Sequence, residues 1–289
     1  MQANAFHKML LLLPLAFYQS TNGMEWNYLK NGKDWEDLCS TGKHQSPILL
    51  DTKTAHKLVS PPITFWNYYK LLKRPFYIRN NGHSISLDIP VTSNGRKPFI
   101  TGGRLKGRYF ADGLHFHWGS YKSPGSEHSI NKRRYDAEIH IVHRNEKYKN
   151  IAEAVRHKDG LAVVAIMVSI VRKDNAKSTP LSKLMEAVVR VPIENSNATL
   201  FGQSSLDQLI GGVKHKDFFT YEGSLTTPLC DETVSWIVFT EITTVTISSV
   251  SKFWLLRDHW GNRLINNYRI VQGLNDRTVF YRTARSSKS

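Results

Sequence analysis

The segment Leu114-His115-Phe116-His117-Trp118-Gly119 sets two imidazoles two residues apart. Side chains of an extended strand alternate between faces, so His115 and His117 point the same way. Beyond a Gly-Ser turn region, Ala137-Glu138-Ile139-His140-Ile141-Val142-His143 reads as a second strand, with Glu138, His140 and Val142 on one face and Ile139, Ile141 and His143 on the other. Antiparallel pairing would bring His140 to His115 and His117. Three neutral nitrogens are the number a catalytic zinc site takes while its fourth position stays open. Neutral imidazoles leave the full charge on the metal, so water bound there ionises more readily than it would beside thiolates or carboxylates. Glu138 shares the face of His140 and is placed to fix that ring's tautomer. His143 and His128 read as structural. The alternative is three partly exposed strand histidines, the reading that a lone H-x-H among twelve histidines would take.

Strand-like runs at 84–89, 113–119, 137–143, 162–171 and 234–242 dominate the chain, while helical stretches are few and short, at 151–156, 181–189 and 248–256. No repeat or linker interrupts residues 24–289. The fold class expected is α+β, mainly β: one domain on a large, mostly antiparallel central sheet with short peripheral helices. The length of 289 residues and 40% hydrophobic content support a real core and exclude collagen, coiled coil and disorder. The net charge of +15 invites a nucleic-acid reading. Its basic residues are scattered, however, the densest run is Lys132-Arg133-Arg134, and no nucleic-acid motif accompanies it. No nucleic-acid partner is expected; weak binding to acidic glycans or membrane surfaces is the partner reading that the charge leaves.

Residues 1–23 read as a secretory signal, with Lys8 before the apolar run 9–17 and small or polar residues up to a cleavage point near Gly23. Pro14 inside the run and the lack of a polar face argue against a core helix. No later stretch is long and apolar enough to span a bilayer, so the expected location is extracellular. An oxidising compartment would join the only two cysteines, Cys39 and Cys230; two unrelated buried thiols are the alternative. Asn197-Ala198-Thr199 is a candidate glycosylation sequon.

These strings, with Gly125-Ser126-Glu127-His128, Gly223-Ser224-Leu225-Thr226-Thr227-Pro228, Gln45-Ser46-Pro47-Ile48 and Asn80-Asn81-Gly82-His83, resemble the α-class carbonic anhydrases in order and spacing, across essentially all of the chain after the signal. The resemblance implies reversible hydration of carbon dioxide to bicarbonate and a proton, with zinc-bound hydroxide as nucleophile. It assigns zinc to His115, His117 and His140. Thr226 would accept a hydrogen bond from the hydroxide and donate one to Glu127, which as an ionised carboxylate can only accept. Val142, Val163, Leu225 and Trp236 match the apolar wall of the substrate pocket, with Thr227 beside them. His83 matches the proton shuttle, a group suited to titrating near neutrality; Tyr28, Asn81 and Thr227 match residues that order its water chain. Cys39 and Cys230 match the disulfide of secreted and membrane-bound members. Gly113 stands where a glutamine commonly supports the first metal histidine, Ser86 replaces an asparagine, and Leu229 a proline. A likeness that kept the fold and lost the activity, an inactive extracellular binding protein or polyanion binder, is the other function considered. Members of that kind typically lack one or more metal histidines.

Overall fold

Alternating and β-branched runs become fourteen strands in the computed structural model, which describes residues 26–171, 179–212 and 216–284. The expected signal, 1–23, lies outside the described residues. In chain order the strands are β1 (Leu49–Leu50), β2 (His56–Lys57), β3 (Thr64–Trp66), β4 (Tyr77–Asn80), β5 (Ile85–Asp88), β6 (Phe99–Thr101) and β7 (Tyr109–Trp118). They continue with β8 (Ser129–Ile130), β9 (Ala137–Asn145), β10 (Leu161–Val171), β11 (Asn197–Thr199), β12 (Phe218–Gly223), β13 (Val234–Thr246) and β14 (Phe280–Arg282). Twelve form one sheet, ordered β11-β4-β5-β7-β9-β10-β13-β12-β14-β2, with β6 and β3 joined to it at β7. The remaining two, β1 and β8, pair with each other.

The sheet is mostly antiparallel, as its alternating runs suggest, but the long central pair β10–β13 is parallel. A parallel pair needs a long crossover. The chain between these strands supplies it, carrying α3 (Pro180–Ala187) and α4 (Leu206–Leu209). Periodicity reports which face a side chain takes and not the direction of the neighbouring strand. The other helices, α1 (Leu38–Thr41), α2 (Ile151–Ala154) and α5 (Ile247–Val250), are single turns at the periphery. Thr179 caps α3 by accepting from Ser182 N, with Pro180 in the first turn, where its missing N–H costs nothing.

Antiparallel pairing of β7 with β9 sets His115 opposite His140 and His117 opposite Glu138. Pairing of β9 with β10 and of β10 with β13 extends these rungs across the sheet. One face therefore carries three adjacent rows: His117, Glu138 and Met167; then His115, His140 and Ala165; then Gly113, Val142, Val163 and Trp236. The opposite face carries Leu114, Phe116, Ile139, Ile141, Val164 and Ile166, which belong to the larger hydrophobic core. Val142, Val163, Trp236 and Met167 belong to a second core on the histidine face. The central strands thus lack a solvent face, and the polar members of their alternation are buried with the apolar ones.

Candidate metal centre

His115, His117 and His140 are all buried, and their ligand-capable nitrogens lie within 4.8 Å of one another. Two of the rings are oriented by partners outside the cluster. His117 Nδ1 sits 2.7 Å from the carbonyl oxygen of Asn267. A carbonyl only accepts, so Nδ1 carries the proton and Nε2 is left with its lone pair; that Nε2 is buried without a hydrogen-bond partner. His140 Nε2 lies 2.7 Å from Glu138 Oε1, which places the proton there and leaves the Nδ1 lone pair facing His115 Nε2 at 3.3 Å. Burial, followed by the charges of its two neighbours, holds His115 well below the usual imidazole range, and burial lowers His117 too. Three imidazoles with nitrogens turned toward one another, one of those nitrogens without a hydrogen-bond partner, are a donor set that fits a divalent cation.

Glu138 is wholly buried yet ionised. Burial alone would raise its pKa, but the charges and hydrogen bonds of His128 and His140 outweigh this and hold it well below the carboxylate range. It accepts from His128 N at 2.8 Å and His128 Nδ1 at 2.7 Å, and His128 Nε2 meets the Tyr221 hydroxyl at 2.7 Å. Tyr221 in turn donates to Ser46 Oγ. The structure so gives His128, read from sequence as merely structural, a place in the chain that orients His140. His143 does lie on the far face, bonded to Tyr68 and to the Ala162 carbonyl.

Glu127 borders the cluster, with Oε1 3.4 Å from His117 Nδ1 and Oε2 4.0 Å from His140 Nδ1. Oε1 accepts from Arg269 N at 2.7 Å, and Oε2 is buried with no partner. Thr226, whose hydroxyl the sequence reading assigns to Glu127 as a donor, is buried as well, and Glu127 Oε2 is an acceptor still open to such a donor.

A family model described as eukaryotic-type carbonic anhydrase matches residues 29–283 and so takes in every member of this cluster. The chain belongs to the eukaryotic-type carbonic anhydrase family. It is 34% identical over 281 residues to carbonic anhydrase 6 of Canis lupus familiaris, covering 94% of this chain and 84% of that protein. It is also 34% identical over 283 residues to carbonic anhydrase 6 of Homo sapiens, covering 94% and 87%. Putative carbonic anhydrase 3 of Caenorhabditis elegans is 34% identical over 260 residues, covering 89% and 97%.

Val142, Val163 and Trp236 form one row, Leu225 packs against the same core, and the Trp236 ring centre is 4.9 Å from that of His140. Thr227 follows, partly buried, and its carbonyl accepts from Cys230 N. The Cys39–Cys230 disulfide is formed and packs with Tyr28 and Trp35. Gly113 leaves room beside His115, since a Cβ there would meet only the Leu87 carbonyl, at 3.8 Å. Ser86 pairs directly with His115, and Leu229 is exposed.

His83 departs from expectation. Its ring stacks on Trp26, centroids 3.7 Å apart, and burial lowers its pKa to about 4 rather than leaving it near neutrality. Asn81 uses its side-chain oxygen to accept from His83 N and Ser84 N, which fixes the turn, and Tyr28 is buried against Trp26. Asn197 is exposed on the outer strand β11. The basic triplet is divided: Arg134 lies over the Tyr268 ring and donates to Ser126 O, and Arg133 lies over Tyr135. No helix among the described residues is long and apolar enough to cross a membrane.

Two residues that sequence reasoning missed matter here. Asn267 gives its carbonyl to His117, accepts from Trp118 N, and donates to the carbonyls of Phe116 and His83. Arg269 is 1% exposed and donates to Gln45 Oε1, Ser46 O and Cys39 O. Both lie in irregular chain about 150 positions from the histidines, where no periodicity marks them.

Proposed function

We propose that the protein is a secreted zinc enzyme that reversibly hydrates carbon dioxide to bicarbonate and a proton. The observation that carries this reading is the convergence of three buried histidine nitrogens within 4.8 Å, with His117 Nε2 lacking a hydrogen-bond partner. His115 Nε2, His117 Nε2 and His140 Nδ1 would hold the metal. Zinc bound there supplies Lewis acidity that lets water ionise near neutral pH. The chain does the rest. Glu127, able only to accept, offers Oε2 to a hydroxyl donor, and Thr226 is the buried hydroxyl that the family resemblance assigns to it; a threonine so held turns its lone pair toward the attacking oxygen. Val142, Val163, Leu225 and Trp236 exclude water from the place where an apolar substrate settles. His83, at a fixed turn, carries the released proton outward. The disulfide is consistent with an extracellular location, and Asn197 is exposed for a glycan.

The test is carbon dioxide hydration by the purified chain, with and without a zinc chelator and after zinc is restored. Activity that disappears with chelation and returns with zinc is expected. Zinc-loaded protein without activity would favour the inactive binding protein.

A further inference from the structure

The row of residues that crosses the sheet through the metal histidines continues beyond β7. His115 is paired with Ser86 of β5, Ser86 with Arg79 of β4, and Arg79 with Asn197 of β11. Residues directly paired across antiparallel strands share a face. Asn197 therefore stands on the metal face, three strand spacings or about 14 Å from His115. The neighbouring row repeats the pattern, with Thr199 paired to Tyr77 and Asp88 to Gly113.

This half of the face is the open one. Among the described residues, the core that covers the metal face from Val142 to Trp236 takes no member from β4, β5 or β11. On the reverse face Ile78, Leu87 and Leu114 belong to the larger core, and Ala198 packs against it. Exposure rises along the metal row: His140 is 1% exposed and His115 8%, Ser86 and Arg79 are partly buried, and Asn197 at the end is exposed. A ligand thus reaches the histidines over β4 and β5, and β11 is the rim of that approach. Asn197 heads the sequon Asn197-Ala198-Thr199. Tyr77, 48% exposed in the neighbouring row, leaves an aromatic surface beside it against which sugar rings pack.

We propose that an N-linked oligosaccharide on Asn197 fences the approach to the metal centre, passing molecules the size of carbon dioxide and bicarbonate and turning away polymers and macromolecules. This rests on the reading above of a secreted enzyme that hydrates carbon dioxide. The donor is a lipid-linked oligosaccharide diphosphate. A bond forms from Asn197 Nδ2 to the anomeric carbon, the bond from that carbon to the diphosphate oxygen breaks, the lipid diphosphate leaves with the electron pair, and the amide gives up one proton. No oxidation state changes.

The test uses the zinc-loaded full chain secreted from a eukaryotic host, the same protein after enzymatic removal of its N-linked sugars, and the variant Thr199→Ala. Mass spectrometry of the peptide that carries Asn197 should find the oligosaccharide in the parent and not in Thr199→Ala. Access is read from two activated aryl esters, one free and one carried on a long dextran chain, as the ratio of their kcat/KM values. An obstacle on one side of the mouth removes about half of the directions from which a large ligand approaches, so loss of the sugar, by enzyme or by Thr199→Ala, should raise the dextran-to-free ratio about twofold or more. Carbon dioxide hydration should hold. An Asn197 peptide without sugar in the parent, or a ratio that removal of the sugar leaves unchanged, would overturn the fence. A parent that binds zinc and hydrates neither carbon dioxide nor the free ester would overturn the hydration reading and the fence together; an active parent with an unmoved ratio overturns the fence alone.

Discussion

Replacing Glu138 with glutamine keeps the shape of the side chain and removes one acceptor, and the hydrogen bonds around it fix the consequence. Glu138 Oε2 accepts from His128 N, while Oε1 accepts from His128 Nδ1 and His140 Nε2. A glutamine has one acceptor oxygen and one donor amide. With its oxygen in the Oε1 position, the amide points at the His128 N–H, and a buried donor is left unsatisfied at a cost of about 1–3 kcal/mol. With its oxygen in the Oε2 position, the amide faces both imidazoles, and each must shift its proton to the far nitrogen. For His140 that puts a hydrogen on Nδ1, the atom 3.3 Å from His115 Nε2, where a metal ligand needs a lone pair. The first outcome costs stability, and the second takes from His140 the lone pair that a metal would use. The expected loss of zinc affinity is about 10–100-fold, the range usual when such outer partners are removed from metal sites, carbonic anhydrases included. Chelator competition measures the affinity, and urea unfolding of the metal-free chain measures the stability. Stability equal to the parent's together with zinc affinity within about twofold of it would refute the claim that both Glu138 oxygens are needed to hold His128 and His140.

Arg269→Met should destabilise the chain by at least about 3 kcal/mol, because the carbonyls of Cys39 and Ser46 lose a buried charged donor; a urea midpoint close to the parent's would contradict this. His143 is wholly buried and its pKa is lowered by burial to about 4, whereas an unfolded chain takes up that proton near 6.5, so its contribution of about 3 kcal/mol is complete above pH 6.5 and lost as pH falls toward 4. Urea midpoints should fall between pH 7 and pH 5, and a flat profile would refute the assignment. Gly113→Gln has room for its Cβ and should slow zinc release to a chelator by giving His115 a hydrogen-bonding neighbour; faster release would contradict this.

The triad was legible because strand alternation is a local rule. His115 and His117 had to share a face, and β9 needed only to pair antiparallel for His140 to join them, which it does. The same rule sends His143 to the far side. Glu127 and Thr226 carry no local signal, and only the family's motifs pointed to them. Other features depend on distant chain returning to the site. Asn267 reaches His117 from irregular backbone, and Arg269 links Glu127 to the disulfide loop. Trp26 buries His83, so a turn histidine that should titrate near neutrality from its sequence neighbours alone is shifted far from it. The parallel β10–β13 pair was hidden for a related reason, since alternation is the same whichever way the neighbouring strand runs.

X-ray absorption at the zinc edge of the purified chain tests the central claim most directly. One zinc per chain with three imidazole nitrogens and one oxygen at about 2.0–2.1 Å is the predicted result, reduced to a disordered or absent signal in His115→Ala. Zinc that is absent from correctly folded parent protein, or bound identically without His115, would contradict it.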